Sequence, residues 1–375
     1  MSDTVCGVDF GSFENGTTVR TPVSTIAGTR RAVSPTVYGR VQKVDPEWFA
    51  RATSEEPLEP EIAIVDTHHH LWHRPGFRYL MEEFAADLDC GHRIEATVYA
   101  ECESMYRADG PEHLRPVGET EFAVGMAAMS RSGGYGPTRV AAGIVGFADL
   151  TLGDRVTETL EAHIAAGGGR FRGIRQRGKW DPHPEIGTAD ADRPGLYRDP
   201  VFQEGVRTLT RFGLAFDASI FHHQVSDVTA LAEAVPEANI VLIHFGSPLG
   251  YGPYSGRHDE ILWQWRADMA DLAKRPNVTV KLGGIMIQHA GYDYGREPAP
   301  ASSERLAELW RPYIETCIEH FGAGRCMVES NYPVERIGVT YGAIWNAFKR
   351  VTATASPAEK TAIYSGTAKR VYRLN

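Results

Sequence analysis

The sequence predicts an α/β fold, a distorted (β/α)8 TIM barrel with an N-terminal extension, and two patterns carry this prediction. Apolar strand-like runs alternate with helical stretches over ~300 residues, which favours a single barrel over a doubly wound sheet. The strand-like runs number eight, as this barrel requires. They cover residues 62–65, 93–102, 138–150, 170–176, 213–221, 239–246, 277–284 and 325–330.

Amphipathic stretches between these runs are predicted to be the helices that cover the barrel. In one of them, Leu306, Leu309 and Tyr313 follow each other at three- and four-residue steps and so share one helix face. Gly322 is typical of a residue that ends a helix. The predicted helices cover residues 155–167, 199–213, 226–238 and 305–322.

Residues 1–60 differ in composition from the rest of the chain. They are rich in Gly, Thr, Ser and Pro and show no sustained helical period. We interpret them as an extended arm or small irregular cap that packs on the main body, with a disordered tail as the alternative. Residues 61–375 are predicted to form the barrel.

Composition and charge limit the classes of function. The chain of 375 residues is 42% hydrophobic and has a net charge of -9, which gives no reason to expect a nucleic acid or an anionic membrane as partner. No run of about 18 apolar residues predicts a membrane span, and the chain does not begin with a secretory pattern. The five cysteines are scattered without CxxC spacing, as reduced thiols are. We expect a cytoplasmic protein with a small-molecule substrate; a homo-oligomer stays open.

The stretch IAIVDTHHHLW, residues 62–72, is the strongest local signal in the chain. Side chains alternate along a strand, so His68 and His70 are predicted to share one side, with His69 on the other. Two imidazoles side by side at a strand end can bind a metal or hold a substrate oxygen. The alternative is a pair of ordinary histidines at the end of a strand.

Polar residues concentrate where the predicted strands end, and in a barrel these ends carry the chemistry. Imidazoles follow three of the eight strands, while the strand bodies stay apolar. We therefore predict a catalytic constellation at this face of the barrel. In strand order, the candidates include Asp66, His68, His70, Glu101, Tyr106, Asp149, Arg175, His222, Gln224, His244, Lys281, Glu329 and Asn331.

Six of these residues are predicted to bind substrate: Glu101, Tyr106, Arg175, His222, Gln224 and Lys281. Arg175 shares the inward face of its strand with Gly173, and its guanidinium suits bidentate binding of a substrate carboxylate. A salt bridge to Glu101 or Asp149 is the alternative. For Lys281, a buried ion pair is favoured over a Schiff-base amine.

Four segments together resemble one known family: VDTHHHLW, IHFGSPLG, NVTVKLGG and FGAGRCMVESNYPV. They are similar to the amidohydrolase superfamily, in its amidohydrolase 2 branch, and specifically to the lactonase-like predicted TIM-barrel hydrolases. The resemblance covers Leu58 to Leu374. It implies a distorted (β/α)8 barrel and hydrolysis of lactones, esters or amides in small molecules. Some members of this branch are zinc-dependent decarboxylases, and some of its lactonases work without a metal.

The resemblance also assigns roles to histidines of this chain. His68 and His70 match the family's first-strand HxH pair, and His244 matches a histidine beside the reacting carbonyl. His222, with His223 as a rival, could match the fifth-strand position. On this basis, His68, His70 and His222 are the candidate ligands of one divalent metal such as zinc.

The chain departs from the family pattern at strand eight. The family reads GSDWP, in which the Asp binds metal and activates water, whereas this chain has Asn331 at the Asp position. A neutral amide cannot take a proton, and the loss of a general base is worth roughly 10²–10⁴ in rate. Metal-independent action is therefore a second possibility. We expect Asn331 to donate a hydrogen bond to the developing oxyanion.

Glu329 replaces the family's Gly and shares a face with Asn331, about 6.6 Å deeper along the strand. We expect it to act as a base through water or as a metal ligand from below. The alternative is a buried ion pair with Lys281 or Arg175.

These residues together predict a hydrolase that opens a lactone, or a related cyclic ester or amide, in a small and carboxylated molecule. Its predicted catalytic residues are His68, His70, His244, Glu329 and Asn331. Two alternatives remain: a zinc-dependent decarboxylase or other lyase on the same barrel, and a non-catalytic small-molecule binder.

Overall fold

The computed structural model describes residues 38, 41–186, 191–284, 290–292 and 297–374. Eight parallel strands form one sheet in the order in which they follow each other along the chain, which confirms the predicted (β/α)8 barrel. The strands are Ile64–His69 (β1), Ile94–Ala100 (β4), Arg139–Gly146 (β5), Phe171–Arg177 (β6), Ala215–Ser219 (β7), Asn239–Leu242 (β8), Val278–Gly283 (β9) and Cys326–Glu329 (β10); Trp72–Arg74 (β2) and Phe77–Tyr79 (β3) form a separate antiparallel hairpin.

Helices cover the outside of the barrel, and the four that the sequence predicted are α4, α5, α6 and α8. No helix within the described ranges is long and apolar enough to cross a membrane. The α-helices described are Pro46–Phe49 (α1), Met81–Leu88 (α2), Val117–Arg131 (α3), Thr157–Ala166 (α4), Pro200–Arg211 (α5), Val225–Ala234 (α6), His258–Leu272 (α7), Ser303–Phe321 (α8), Tyr341–Val351 (α9), Pro357–Thr361 (α10) and Thr367–Val371 (α11).

The element bounds differ from the predicted ones where local hydrogen bonds decide them. β1 continues past the predicted end at residue 65, because Asp66 and His69 pair with β4. The third barrel strand ends at Gly146, before the predicted residue 150, and Asp149 instead caps a short 3-10 turn by accepting from the Thr151 N–H at 3.0 Å. Because β1 is longer than predicted, it includes His68 and His69.

The sheet closes where β1 meets the residues after β10. The Asn331 N–H donates to the His68 carbonyl at 2.8 Å, and the His70 N–H donates to the Tyr332 carbonyl at 2.7 Å. Below them, the Asp66 carboxylate accepts from the Ser330 hydroxyl at 2.6 Å. Closure therefore brings the first and last barrel strands together at the level of the histidines.

The opposite end of the barrel is filled by the C-terminal segment. Val371 and Tyr372 pack with the buried interior residues Val65 and Val98. Asn239, the first residue of β8, donates from its side chain to the Val371 carbonyl at 3.2 Å. Since this end is sealed by apolar packing, the strand C-terminal ends are the side on which polar groups gather.

Part of the predicted extension lies against the helices. The Glu55 carboxylate accepts from the Ser303 N–H at 2.7 Å and from the Asn346 amide at 3.1 Å. The Lys349 ammonium donates to the carbonyls of Leu58 and Glu59, at 2.7 and 2.8 Å. Residues 1–37, 39 and 40 lie outside the described residues, so the boundary at residue 60 stays a prediction.

The loop after β4 is fixed by a buried carboxylate on α3. Glu119 Oε1 accepts from the Tyr99 hydroxyl at 2.8 Å and from the N–H groups of Cys102 and Ser104 at 2.8 and 3.1 Å. Burial, together with the nearby charge of Glu101, raises the pKa of Glu119 to about 7. This side chain fixes the conformation of a loop that begins at Glu101, a predicted site residue.

We expect Glu119→Gln to change how stability depends on pH. The folded-state pKa lies above the ordinary value of 4.5, so the folded protein holds more protons than the unfolded chain between about pH 4.5 and 7. The free energy of unfolding contributed by this group therefore falls as pH rises through that window, by roughly 1–3 kcal/mol. Urea denaturation at several pH values should show that the parent loses more stability than the variant across this window, by that amount, because the other buried groups titrate alike in both proteins; parallel curves would contradict it.

Candidate active site

The three consecutive histidines at the end of β1 and just after it separate onto two sides, as the sequence predicted. His69 stacks on Phe84 with ring centroids 4.4 Å apart and lies 2.8 Å from the Thr97 hydroxyl. His68 and His70 turn to the other side, where their Nε2 atoms are 3.2 Å apart. The HxH pair therefore forms one buried cluster at the strand end.

Hydrogen-bond partners fix the tautomers of both rings. His70 Nδ1 lies 2.8 Å from the Ala100 carbonyl, which only accepts, so Nδ1 carries the proton and Nε2 carries the lone pair. His68 Nε2 lies 3.1 Å from Arg175 Nη1, which only donates, so the His68 proton is on Nδ1. Burial lowers the pKa of both histidines well below the ordinary value, as does the charge of Arg175, so both are neutral.

Glu329 joins His68 to His244. Its Oε1 accepts from the His244 backbone N–H at 2.9 Å and lies 2.8 Å from His244 Nδ1, while its Oε2 lies 3.2 Å from His68 Nδ1. Burial raises the pKa of this fully buried carboxyl to about 7. Since His244 presents its Nδ1–H to the carboxylate, its Nε2 keeps a lone pair. The carboxylate lies beneath the histidines as the sequence predicted, and it forms no salt bridge with Lys281 or Arg175 among the residues described.

This contact depends on a glycine at the end of β9. A Cβ atom on Gly284 would lie 1.9 Å from His244 Nδ1, and the residue has a φ of +99°. Only glycine meets both requirements, because a larger residue would displace the imidazole from Glu329. The second glycine of the NVTVKLGG segment is thus part of the site, although sequence reasoning assigned it no role.

Arg175 is held within the protein. Its Nε donates to Glu101 Oε1 at 2.8 Å, and its Nη2 donates to the Glu101 carbonyl. Only 7% of the arginine side chain and none of the Glu101 side chain is exposed. The predicted carboxylate clamp is therefore corrected to the alternative salt bridge, because Glu101 is the anion that this guanidinium binds.

Lys281 forms the ion pair that the sequence favoured over a Schiff base. Its ammonium donates to Asp217 Oδ2 at 2.7 Å and to the Thr67 carbonyl at 2.8 Å, and both members of the pair are fully buried. The Tyr372 hydroxyl donates to the same carboxylate at 2.8 Å. This pair lies in the barrel interior. Protein groups occupy the ammonium, so the structure gives no support for the predicted contact between Lys281 and the substrate.

The predicted oxyanion contact of Asn331 is also corrected. Its Nδ2 donates to the Gly284 carbonyl at 2.7 Å and to Glu335 Oε1 at 3.3 Å. An amide nitrogen has two hydrogens, so both are engaged. The backbone at this residue is left-handed, with a φ of +53°.

His222, Gln224 and Tyr106 lie in the loops at the mouth of the barrel. His222 Nδ1 accepts from the Leu249 N–H at 3.3 Å. Gln224 donates to the Gly178 carbonyl at 2.8 Å and accepts from the Trp180 N–H at 3.0 Å, so it braces two loops. Burial raises the pKa of Tyr106 above its ordinary value. Their predicted substrate contacts stay predictions.

The group that fits a metal ion differs from the predicted one. Among the described residues, His68, His244 and Glu329 offer ligand atoms within 4.8 Å of one another. The predicted ligands His222 and His70 are not part of this group, and His70 faces the Nε2 atom of His68. Imidazoles and a carboxylate suit zinc. His68 Nδ1 and Glu329 Oε2 are buried, 3.2 Å apart, and form no well-aligned hydrogen bond in the described structure. The donor set fits a cation once Nδ1 has released its proton, as ligand atoms must.

We expect Gly284→Ala to break the His244–Glu329 contact. The added Cβ would overlap His244 Nδ1, so stability should fall by about 2 kcal/mol or more. Gly136→Ala is the matched control, since Gly136 has a φ of +92° but open space around it. Urea denaturation should show a clearly larger loss for Gly284→Ala; equal losses would mean that backbone strain, and not the imidazole, explains the glycine.

Lys281→Met is expected to destabilise the barrel by about 3–5 kcal/mol, because it leaves the Asp217 carboxylate buried without its cation. The double variant Lys281→Met with Asp217→Asn removes both charges and should recover much of that loss. The free energies of unfolding of the parent, single and double variants can be compared by urea denaturation. A double variant no more stable than the single one would contradict a buried charge pair.

Comparisons with known proteins agree with this architecture. The Amidohydrolase family model matches residues 65–374. The uncharacterized protein y4mH of Sinorhizobium fredii is 30% identical over 337 residues, which cover 84% of this chain and 99% of that protein. An L-fucono-1,5-lactonase of Burkholderia multivorans is 25% identical over 325 residues, covering 83% of this chain and 96% of that protein.

A solved structure also shares the fold. It is the crystal structure of a Burkholderia multivorans amidohydrolase with bound zinc, with a TM-score of 0.64 and 22% identity over 84% of this chain and 100% of its own. The chain belongs to the amidohydrolase family.

Proposed function

We propose that this protein is a hydrolase that opens a lactone, or a related cyclic ester, of a small molecule by attack of water at the ring carbonyl. The observation that carries the proposal is the buried Glu329 carboxylate, which contacts both His68 and His244. A relative named as a lactonase supports the reaction class. In this proposal, the carboxylate takes over the role that the strand-eight Asp has in the family pattern.

His244 is the group that takes the proton of the attacking water. Glu329 accepts the Nδ1–H of the ring, which leaves the Nε2 lone pair as the base. As the water oxygen bonds to the carbonyl carbon, its proton passes to Nε2, and the carboxylate stabilises the imidazolium that forms. The ring C–O bond then breaks, and the same proton returns to the leaving oxygen. Asn331 therefore needs no acid–base role.

The charges around the cluster are already balanced in pairs. Arg175 is paired with Glu101, and Lys281 is paired with Asp217. Arg175 thus gives no support for the carboxylated substrate that the sequence predicted, because its guanidinium is engaged by a protein carboxylate. A lactone without a carboxylate is the simpler substrate for this site.

A divalent metal, when bound, would be held by His68, His244 and Glu329. It would supply a Lewis acid that polarises the substrate carbonyl. The crystal structure of the Burkholderia multivorans amidohydrolase, which has the same fold, contains bound zinc and so supports a divalent ion in proteins of this fold.

Glu329→Gln should reduce lactone hydrolysis by roughly 10²–10⁴. The amide keeps the size of the side chain but cannot stabilise a charged His244. Acid release from a panel of aldonolactones and aliphatic lactones, followed in a pH-stat, measures the rate. Glu95→Gln is the matched control: it makes the same change at the start of β4, where Glu95 pairs with Lys369 at 2.8 Å.

Near-parent hydrolysis in folded Glu329→Gln would show that the carboxylate is not part of the reaction. Release of CO2 from aromatic carboxylates, without hydrolysis of any lactone, would favour a decarboxylase. Thermal stabilisation by lactones without turnover would favour a binding protein.

A further inference from the structure

The Nε2 side of His68 differs from its Glu329 side. Here two imidazole nitrogens, His68 Nε2 and His70 Nε2, lie 3.2 Å apart, and each carries a lone pair when its ring is neutral. Two facing lone pairs repel each other unless a cation lies against them. Arg175 Nη1, 3.1 Å from His68 Nε2, is such a cation.

A protonated His70 does not resolve this contact. Its Nδ1 already donates to the Ala100 carbonyl, so a second proton on Nε2 would make it an imidazolium. That charge would be buried close to the Arg175 guanidinium, where two cations oppose each other. The arginine is therefore the positive group that the pair already has.

The same spacing would suit a metal ion. Zinc–nitrogen bonds of about 2.0–2.1 Å in a tetrahedral site put two ligand nitrogens about 3.3 Å apart. A ring nitrogen has one lone pair, however, and the lone pair of His68 Nε2 already accepts from Arg175. The guanidinium and a metal ion compete for it.

Glu101 keeps the guanidinium in this place. It accepts from Arg175 with both its carboxylate and its backbone carbonyl, and the carboxylate side chain is fully buried. Moving Arg175 aside would leave a buried carboxylate without its partner, which is costly. A metal ion would have to meet this cost as well as the repulsion of the guanidinium.

We propose that the Arg175 guanidinium is the permanent cation of the His68–His70 pair and that it excludes a divalent metal from this pair. A metal that binds the protein would then use the group of His244 and Glu329, which His68 joins only if its Nδ1 gives up the proton. Metal binding is measured without substrate, so the outcome stands apart from the lactone reaction.

Calorimetric titration with Zn²⁺ tests this exclusion. The parent protein is compared with a double variant, Arg175→Met with Glu101→Gln, which removes the ion pair without leaving a buried charge. The zinc affinity of the double variant should rise by about tenfold or more, because a cation beside the ligand is gone. Adding His70→Gln to the double variant should abolish the gain, since His70 becomes a ligand only when Arg175 is absent.

The neighbouring pair on β6 provides the matched control. Arg177 forms a salt bridge with Glu103, two residues further along the chain in each case, and a longer one of 3.6 Å with Glu101. The closer Arg175–Glu101 contact of 2.8 Å is kept in this control. Arg177→Met with Glu103→Gln makes the same change of charge and should leave the zinc affinity within about twofold of the parent, because this pair does not contact the two Nε2 atoms.

An unchanged or lower zinc affinity in the folded Arg175→Met, Glu101→Gln variant would overturn the proposal. If circular dichroism shows that this variant does not fold, the zinc affinity of the single variant His70→Gln tests the proposal instead. Its zinc affinity should then equal that of the parent, because His70 is not a ligand while Arg175 is in place. A loss of about tenfold or more would show that His70 binds the metal beside Arg175 and would also overturn the proposal.

Discussion

The buried Glu329 carboxylate is the interaction on which the rest of the site depends. It receives two N–H groups of His244 and faces the protonated ring nitrogen of His68, so one side chain fixes two imidazoles. Such a carboxylate is tolerated in a barrel interior only when donors compensate its lost hydration. Gly284 makes the contact possible by leaving room for the His244 ring.

Burial and the nearby cations explain why the surrounding histidines are neutral. Two buried cations close to the cluster form salt bridges, Arg175 with Glu101 and Lys281 with Asp217. The cations remain close enough to oppose a further positive charge on an imidazole, and burial acts in the same direction. Neutral rings with fixed tautomers present lone pairs in defined directions, so they can accept a hydrogen bond or bind a metal ion.

The sequence predicts much of this arrangement and fails at identifiable places. Apolar runs revealed all eight strands, and strand alternation placed His68 and His70 together. Alternation gives the side of a sheet but not the choice between neighbouring partners, so Arg175 was assigned to substrate although Glu101, 74 residues away, holds it. The partners of the Asn331 amide, the Gly284 carbonyl and Glu335, were likewise not readable from sequence spacing.

His68 divides the site into two parts through its two ring nitrogens. Nδ1 faces Glu329 and Nε2 faces Arg175, so the neutral ring separates a carboxylate from a guanidinium. The carboxylate side holds His244 and can take up a proton, whereas the guanidinium side is already positively charged. A proton or a metal ion is therefore better accommodated next to Glu329. In the proposed reaction, Glu329 supplies from below the negative charge that the Asp of the family pattern would otherwise supply, and the His68 ring separates this charge from Arg175.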